Sequence, residues 1–519
     1  MIALPQPHLE ASPKSRVALD ALAAQGHYGA MTRVAEEHGI ARCTAYAWRE
    51  DARAAIEAYY KAQAWGVEAV VAVDRRQIER FIVSQYVVSH NTIRGIEDAL
   101  PITYPGVTLS YGAIQGILTE AQCKALLFNV SVSLGGISAI ATDEMFSQGH
   151  PVLASVDLES GYLIDLALRR HRDAETWAAL LEEAKTRGLD VQIVVKDAGS
   201  GMAAGVTKAF PNAEQRDDMF HAIYVMGKVR VTFERRAYGA LEAAEKARLA
   251  VKKVAHKRHA SPEEGAKSRS KASAKLGAAT RKANTLMTQH DVFEQAMREV
   301  VAAMQIIDPH DGTLNTQARA NERLIAAAQR MQKMGSKKAQ KVGRYIENRA
   351  PGLALYIRQV GVSLAVLTEQ YRELPVQLAI SMWQFSDDLS CGRRPWDTSR
   401  MKKHLQGANA MLHMLLDNSG QVDALHSSIN AVMEKRHRAS SAIEGFNAAL
   451  RPYLYIHKGV TQGFLELFRA YHNLKTRRWG RHKGTSAHEC ITGENVGDWL
   501  TMLGYPPSGV SIPLGASLH

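Results

Sequence analysis

Cysteine is scarce in this chain, with four in 519 residues. Cys43, Cys123, Cys391 and Cys490 lie far apart, and no Cys-x-x-Cys pair occurs. That spacing argues against a zinc knuckle and against a disulfide framework. It is typical of a protein in a reducing cytoplasm, which is the compartment that we expect.

Long apolar runs are also missing. The first residues, MIALPQPHLEASPKSR, lack the apolar core of a signal peptide, and no uninterrupted apolar run reaches the roughly 18 residues that cross a bilayer. We therefore expect a soluble protein with no membrane partner. The apolar fraction of 46% and the charged fraction of 22% are ordinary for a globular protein and exclude a wholly disordered chain.

Acidic residues are outnumbered, since 52 Asp and Glu stand against 64 Lys and Arg, for a net charge of +12. This balance favours a polyanionic partner such as nucleic acid, although a merely basic surface gives the same total. The length predicts several folded units, because domains usually run to roughly one or two hundred residues. We expect an α/β multidomain protein.

Residues 1–62 have the pattern of three short helices, with Gly39 breaking the second from the third. Small and apolar residues at Ala35, Ala45 and Trp48 fit a helix-turn-helix DNA-binding domain. A plain three-helix bundle is the alternative. In the DNA-binding interpretation three side chains of the third helix face DNA: Arg42, Thr44 and Arg49.

Residues 63–130 approximately repeat this order of elements, although not as a sequence repeat. Two short helices are followed by a Pro/Gly-rich turn, TYPGVTL, and by a longer helix behind Ser110 as N-cap. Because long DNA sites are commonly read by paired small domains, we expect a second helix-turn-helix-like DNA-binding domain here.

Near residue 137 the pattern changes from helical to extended. Three apolar segments precede a helix capped by Asp173, and a buried strand, VQIVVKD, and a short segment, AEQRDD, follow. The order β-β-β-α-β, helix, β is that of the RNase H-like fold with its mixed five-stranded sheet. We assign 131–228 to the first part of such a domain and 439–519 to its last part with a basic tail.

Residues 229–438 are predicted to form an all-helical insertion. Between Lys252 and Lys282 the chain has ten Lys and Arg against only Glu263 and Glu264. Such a run is typical of a solvated helix face or a flexible linker. The functional alternative is a helical hairpin along DNA phosphates, whose affinity falls steeply with salt.

Three acids stand where carboxylates can converge. Asp143 lies at the end of the first strand, Asp197 lies at the end of the fourth, and Glu444 lies in a later helix, SSAIEGFNAALRPY. Oxygen ligands of this kind suit Mg²⁺ or Mn²⁺, and two such ions roughly 3.5–4 Å apart can drive phosphoryl transfer on DNA. The sequence therefore predicts a two-metal site formed by these three residues.

At these residues the chain resembles the DDE transposases, which are related in fold to retroviral integrases. The resemblance runs through ATDEMFSQGHPVLASVD, IVVKDAGSG, QRDDMFHA and SSAIEGFNAALRPYL, over most of residues 135–228 and 438–493. The 247 residues from Asp197 to Glu444 look like the subgroup with an all-helical insertion before the final glutamate. That subgroup includes hAT and Mutator-like elements and several bacterial insertion sequences.

The resemblance implies catalytic roles for Asp143, Asp197 and Glu444, and it adds Asp218 and His221. The latter two fit a Cys/Asp-x-x-His motif after the fifth strand. It also implies a bacterial enzyme, nucleoid-associated when bound to DNA, that cleaves transposon ends and joins the 3′-OH to target DNA. Binding of terminal inverted repeats and a homo-oligomer, dimer or higher, are implied as well. A domesticated DNA-binding regulator and a non-transposing RNase H-like nuclease are the alternatives.

The three acids also have structural interpretations. Asp143 could merely end a strand, with Glu144 or Asp157 serving instead. Asp197 could be only a turn residue before AGSG, where Asp is common. The remaining glutamate, Glu444, could belong to a capping box.

In that capping box Glu444 would bond back to the backbone of Ser441. The pair of Asp218 and His221 could likewise be a local helix start. Basic residues of the C-terminal part surround Trp479, and we expect them to position DNA phosphates, although an exposed basic loop looks similar. These predicted contacts are Arg451, Lys458, Lys475, Arg477, Arg478, Arg481 and Lys483.

Overall fold

The architecture comes from a computed structural model. The structure describes residues 13–24, 29–64, 74–197, 199–258, 261–372, 376–390, 419–437, 441–456 and 459–507. The chain divides after Ile78 into two compact units. Each unit is described by itself.

The first unit contains three helices, α1 (Pro13–Ala23), α2 (Ala30–Glu37) and α3 (Arg42–Ala64). Gly39 has a φ of +63°, a left-handed conformation that suits glycine in the turn between α2 and α3. The three predicted helices and their glycine turn are therefore confirmed. Small and apolar side chains form their common core: Val17, Ala21, Met31, Val34, Ala35 and Ala45.

Three further helices precede the sheet: α4 (Arg75–Val87), α5 (Ile93–Thr103) and α6 (Tyr111–Ser131). The Ser110 hydroxyl caps α6, as predicted, by accepting a hydrogen bond from Ala113 N at 3.3 Å. At its far end α6 is tied to the helical layer of the sheet, because buried Asn129 donates to the Glu466 carboxylate at 2.8 Å. Their assignment to a second DNA-binding domain stays a prediction.

Five strands form one mixed sheet in the order β3-β2-β1-β4-β5. The strands β1, β2 and β3 pair antiparallel, while β1 with β4 and β4 with β5 pair parallel. This is the predicted RNase H-like arrangement. The strand bounds are Ala139–Ser147 (β1), His150–Asp157 (β2), Leu163–Leu168 (β3), Ile193–Lys196 (β4) and Glu214–Asp217 (β5).

Helices cover both faces of the sheet. On one face α7 (Ala174–Lys185) and α8 (Ser200–Ala209) bury Trp177, and Asp173 caps α7 as predicted. The other face is covered by α15 (Ser441–Ile456) and α16 (Gln462–Leu474). Apolar residues of these two helices pack on the strands: Ile443, Phe446, Leu450, Phe464, Leu465 and Phe468. Two shorter helices follow, α17 (Ala487–Thr492) and α18 (Trp499–Met502).

The predicted helical insertion lies between β5 and α15. Its described helices are α9 (Met219–His256), α10 (Pro262–Ala303), α11 (Gln317–Lys333), α12 (Lys337–Gln370), α13 (Val376–Ser390) and α14 (Ser419–Glu434). By length and composition α12 could cross a membrane. Its apolar side chains Leu353, Tyr356 and Val360 instead pack into the core of the insertion. The α/β multidomain class predicted from the sequence is confirmed.

His472 in α16 should make the stability of this unit depend on pH. Its ring packs beside Phe446 and Phe468, and burial, with Lys475 and Arg477 nearby, lowers its pKa from 6.5 to about 3. The unfolded chain therefore binds a proton that the folded chain does not, and stability is lost as pH falls from about 6.5 towards 3. The loss reaches about 1.4 kcal/mol per pH unit within that window.

The measurement is the urea midpoint at pH 7, 5.5 and 4.5. A His472→Phe variant should lose less stability between pH 7 and 4.5 than the wild type. The same substitution at exposed His426 serves as control. Parallel behaviour of the wild type and His472→Phe would contradict this assignment.

Candidate active site

Two acids stand side by side where β1 and β4 run parallel. The parallel pairing of the two strands ends with Thr142 opposite Lys196. The next residues, Asp143 and Asp197, therefore leave the parallel ladder at the same level. The expectation that Asp143 ends its strand is wrong, because β1 continues to Ser147 in antiparallel pairing with β2. Its expected position beside Asp197 follows from the register.

The helix α15 brings the third acid to this edge. Asn447 Nδ2 donates a hydrogen bond to Asp143 Oδ2 at 2.6 Å. Glu444 lies one turn before Asn447, on the same side of the helix. Two turns further along, an Arg451 guanidinium nitrogen is 3.8 Å from a Glu444 carboxylate oxygen. The spacing of α15 thus places an acid, an amide and a cation in one row.

Negative charge accumulates at Asp143. The pKa of its carboxyl is raised from 3.8 to about 6, chiefly by burial and to a smaller degree by the nearby charges of Asp197 and Glu444. Two hydrogen bonds act in the opposite direction, from Glu144 N and from Asn447. The three predicted acids are therefore close enough to influence one another electrostatically.

Glu144 belongs to the opposite face of the sheet, because successive strand residues alternate in direction. Its carboxylate accepts from Trp177 Nε1 at 3.0 Å and pairs with Arg172 at 2.7 Å. Asp197 Oδ1 accepts from Gly199 N at 2.8 Å, so it has the turn role that the sequence allowed as well as its place at the site. The bonds from Trp177 and Arg172 hold the Glu144 carboxylate on the α7 side of the sheet.

A cleft of about 820 Å³ opens at this edge of the sheet. Glu144 and Asp197 line it together, and the cations of Arg170 and Arg172 stand on its wall. Its other lining residues are Phe146, Gly149, Pro151, His171, Asp173, Ala174, Gly199, Ser200 and Gly201. Of the three predicted acids only Asp197 lines this cleft, where it lies beside arginines that suit phosphates.

The chemistry of this site fits a hard divalent cation. The predicted set of Asp143, Asp197 and Glu444 offers only oxygen donors, which Mg²⁺ and Mn²⁺ prefer. Burial is the main cause of the raised Asp143 pKa, repulsion from Asp197 and Glu444 adds to it, and a bound cation would offset both. Within the described ranges, no three His, Cys, Asp or Glu side chains are already grouped closely enough to hold a metal ion.

The insertion reaches the sheet beside the site through α12. An Arg349 guanidinium donates to the Asp217 carboxylate at the end of β5. Lys196 Nζ also lies 3.5 Å from that carboxylate. Gly352 faces it so closely that a Cβ at this position would lie 2.1 Å from Asp217 Oδ2. Only glycine allows α12 to approach β5 at this point.

Tyr345 on α12 lies near Asp218 and His221. Its pKa is raised to about 12, first by burial and also by the charges of Asp217, Asp197 and Asp218. Asp218 is the N-cap of α9 and accepts from Phe220 N at 2.8 Å, while the rings of His221 and Tyr345 lie 6.3 Å apart. The helix-start interpretation of Asp218 is confirmed, and a role beside the acids stays a prediction.

Of the alternative acids, Asp157 is fully engaged elsewhere. It pairs in register with Ile140, three residues before Asp143, and caps the β2–β3 turn by accepting from Ser160 N at 2.8 Å. Asp157 therefore has a structural role in this turn, three residues of register away from Asp143. The capping box of Glu444 with Ser441 is not tested, because the Ser441 side chain lies outside the described part.

The predicted DNA contacts of the first unit lie on α3. Arg42 is exposed, while Thr44 and Arg49 are partly exposed. The guanidinium of Arg49 lies 4.9 Å from the centre of the Tyr46 ring. All three side chains are on the helix that the helix-turn-helix prediction assigns to recognition.

The predicted basic contacts of the C-terminal part differ in their partners. Arg477 donates to Ser160 O and lies against the turn at Gly161, whereas Arg481 pairs with Glu434 at 2.8 Å. The exposed ones include Arg451, Arg478 and Lys483, beside Trp479, and Lys475 is partly buried. Lys458 lies outside the described residues.

Sequence reasoning missed several residues of the site. The cleft arginines follow β3 in the run RRHR at residues 169–172, a basic cluster that was a usable signal. No local pattern in the sequence singles out Asn447, because its bond to Asp143 spans 304 positions of sequence. Nothing in the local pattern indicates that Tyr345 and Arg349, deep in the insertion, come back to the sheet.

Comparison with known families agrees with this geometry. Residues 140–368 match a family model described as Transposase, of the DDE type in the ISL3 group. The match includes Asp143, Asp197, Asp218 and His221 and extends through most of α12, whereas Glu444 lies beyond it. No curated protein matches the chain. The match does not test the resemblance to hAT and Mutator-like elements, which stays a prediction. Over residues 140–368 the chain is therefore similar to the DDE-type transposases.

Proposed function

We propose that this protein is a transposase that cleaves DNA at the ends of its element and joins the freed 3′-OH to target DNA. The observation that supports this activity is the in-register exit of Asp143 and Asp197 from parallel strands, with Glu444 beside them on α15. These three carboxylates would hold Mg²⁺ or Mn²⁺. The bound ions would activate the attacking oxygen and stabilise charge on the scissile phosphate.

The remaining residues of the site position groups rather than react. Asn447 orients the Asp143 carboxylate through its amide, and its Oδ1 has no hydrogen-bond partner among the described residues. Arg170 and Arg172 on the cleft wall would contact phosphates of the DNA strand. We assign Asp218 and His221 to the edge of the same centre, next to Tyr345.

The helices α1–α3 would read the terminal inverted repeats. The glycine turn at Gly39 and the side chains of Arg42, Thr44 and Arg49 on α3 support a helix-turn-helix. Two ends must be brought together for joining, so we propose that the enzyme acts as a homo-oligomer on DNA. The basic residues around Trp479 would add phosphate contacts.

A DNA-binding regulator derived from a transposase is the second candidate. The same N-terminal helices and basic residues would serve it. Retention of all three acids favours the enzyme. A nuclease without transposition would use the same acids but would not depend on terminal repeats.

The test is an assay of end cleavage and strand joining with the full-length protein. The substrate is labelled DNA from both flanks of the coding region, with a plasmid target, in Mg²⁺ or Mn²⁺. Cleavage at matching repeats followed by joining is expected, and neither should occur with EDTA. Specific binding without cleavage would favour the regulator. Equal cleavage of DNA with scrambled flanks would favour the nuclease.

A further inference from the structure

The helices α9 and α10, 38 and 42 residues long, pack against each other as a hairpin. At about 1.5 Å per residue each is on the order of 60 Å long. The inward positions of α9 alternate in spacings of four and three, which is the pattern of a coiled coil. They are Phe233, Ala237, Ala240, Ala244, Ala247, Val251 and Val254. Because most are alanine, the hairpin has little apolar surface beyond its seam.

The outer surface of the hairpin is strongly basic. From Lys228 to His290 the sequence has sixteen Lys and Arg against five Glu. All these cations except Arg230 are exposed. Among these sixteen Lys and Arg residues, all in the described part of the chain, only Arg230 and Arg248 have a carboxylate within ion-pair distance. Of the two ordinary interpretations of this run, the solvated helix face fits and the flexible linker does not, since the described residues of the run are helical apart from the turn.

A groove of about 540 Å³ runs along one side of the seam. Its floor consists of Gly239, small alanines and one leucine, and its rims have three cations, Arg236, Lys275 and Lys282. No acid lines it. The full lining is Arg236, Gly239, Ala240 and Ala243 from α9, and Lys275, Ala278, Ala279, Lys282 and Leu286 from α10.

The same rows of the coiled coil continue towards the hairpin turn. At seven-residue spacing the row of Gly239 leads to Lys246 and Lys253. On α10 the row of Ala278 leads to Lys271. From the groove towards the turn, the one acid on the rows that line the groove is Glu264. The groove is thus the start of a longer basic stripe.

The chemistry of the stripe fits a nucleic acid duplex better than a protein helix. A docking helix needs large apolar side chains to bury, and the groove floor offers mainly Ala and Gly. The stretch from Arg236 to Lys253 spans 17 residues, or about 25 Å. At roughly 3.4 Å per base pair this length matches about seven base pairs of duplex. Arginine and lysine on both rims suit two phosphate rows.

We propose that this basic groove is a DNA-docking surface that holds one duplex by its phosphates, without reading sequence. This proposal rests on the proposed function in one respect, namely that the bound duplex is the DNA on which the three acids act. The groove would add affinity to either end DNA or target DNA. Its contribution would be electrostatic and therefore sensitive to salt.

The experiment compares two triple variants of the full-length protein with equal charge change. The groove variant is Arg236→Gln, Lys275→Gln and Lys282→Gln. The control is Arg281→Gln, Lys252→Gln and Lys267→Gln, exposed cations of the same hairpin that do not line the groove. Glutamine has nearly the helix propensity of lysine and arginine, so both variants should keep the hairpin helical.

Affinity for a 30-base-pair duplex of random sequence is measured from about 50 to 300 mM salt. Each phosphate contact contributes about 0.9 to the slope of log K against log salt. If all three cations contact phosphates, the groove variant should make the slope less steep by about two to three. The control variant should change it by less than one such contact.

Equal slopes for the two variants would overturn the docking surface. So would a groove variant that weakens binding of duplex RNA but leaves binding of duplex DNA unchanged. End cleavage by the wild type is recorded in parallel. Normal cleavage with equal slopes refutes the groove alone, whereas a selective slope change without any cleavage refutes the proposed activity and retains the groove.

Discussion

Asp197→Asn is expected to lower the rate of end cleavage at least about a thousandfold while leaving DNA binding intact. The substitution keeps the size of the side chain and its ability to accept a bond from Gly199 N, but it removes the charge that would hold a divalent ion. Metal ions contribute several kcal/mol to such reactions, and each 1.36 kcal/mol is a factor of ten in rate. The loss should therefore be close to complete.

The measurement is single-turnover cleavage of labelled end DNA in Mg²⁺, with binding followed separately. The matched control is Asp190→Asn, the same change at an exposed position before β4. Asp143→Asn and Glu144→Gln extend the series. We expect Asp143→Asn to be as inactive as Asp197→Asn, because Asn447 holds Asp143 towards Glu444. Equal cleavage by wild type and Asp197→Asn would remove Asp197 from the site.

The sheet was predictable because its strands are short apolar runs separated by strong turn and cap signals. Asp173 and Ser110 are caps that the pattern located correctly, since a cap bonds to a backbone amide only a few residues away. The parallel neighbours β1 and β4 follow from the known order of elements. The convergence of Asp143 and Asp197 follows in turn from that pairing.

The partners of these acids were beyond the reach of local patterns. Asn447 reaches Asp143 only because α15 crosses the face of the sheet after the whole insertion has intervened. The two-residue period of a strand does distinguish Glu144 from Asp143, because successive side chains point to opposite faces and the Glu144 side chain points towards Trp177. A period indicates the face of the strand but not the side chain that lies opposite.

The docking of α12 on β5 shows the same limit. Asp217 sits between Lys196, its neighbour across the sheet, and Arg349, more than a hundred residues later. The close approach depends on Gly352, which the sequence shows as an ordinary helix glycine after Pro351. Such a contact depends on the tertiary path of the insertion, which periodicity does not specify.

Trp177→Ala is expected to destabilise the sheet by about 3–5 kcal/mol, the usual cost of removing a large buried aromatic side chain. Trp177 is fully buried and packs with Leu153, Leu180 and Met202 between α7 and the strands. Whole domains are stable by only about 5–15 kcal/mol, so this loss is a large fraction. Hydrogen exchange of peptides from β1 to β3 should speed up roughly a hundredfold to several thousandfold.

Peptide-resolved exchange is the right measurement because a chain with two compact units need not unfold in one step. The control is Trp479→Ala, the same change at a side chain that is 78% exposed. Trp177→Phe separates packing from hydrogen bonding, since it fills most of the space but leaves Glu144 without its indole donor. That variant should cost about 1–3 kcal/mol and loosen Glu144 beside Asp197. Equal protection of the strand amides from exchange in Trp177→Ala and Trp479→Ala would show that the Trp177 indole neither supports the sheet nor fixes that wall of the cleft.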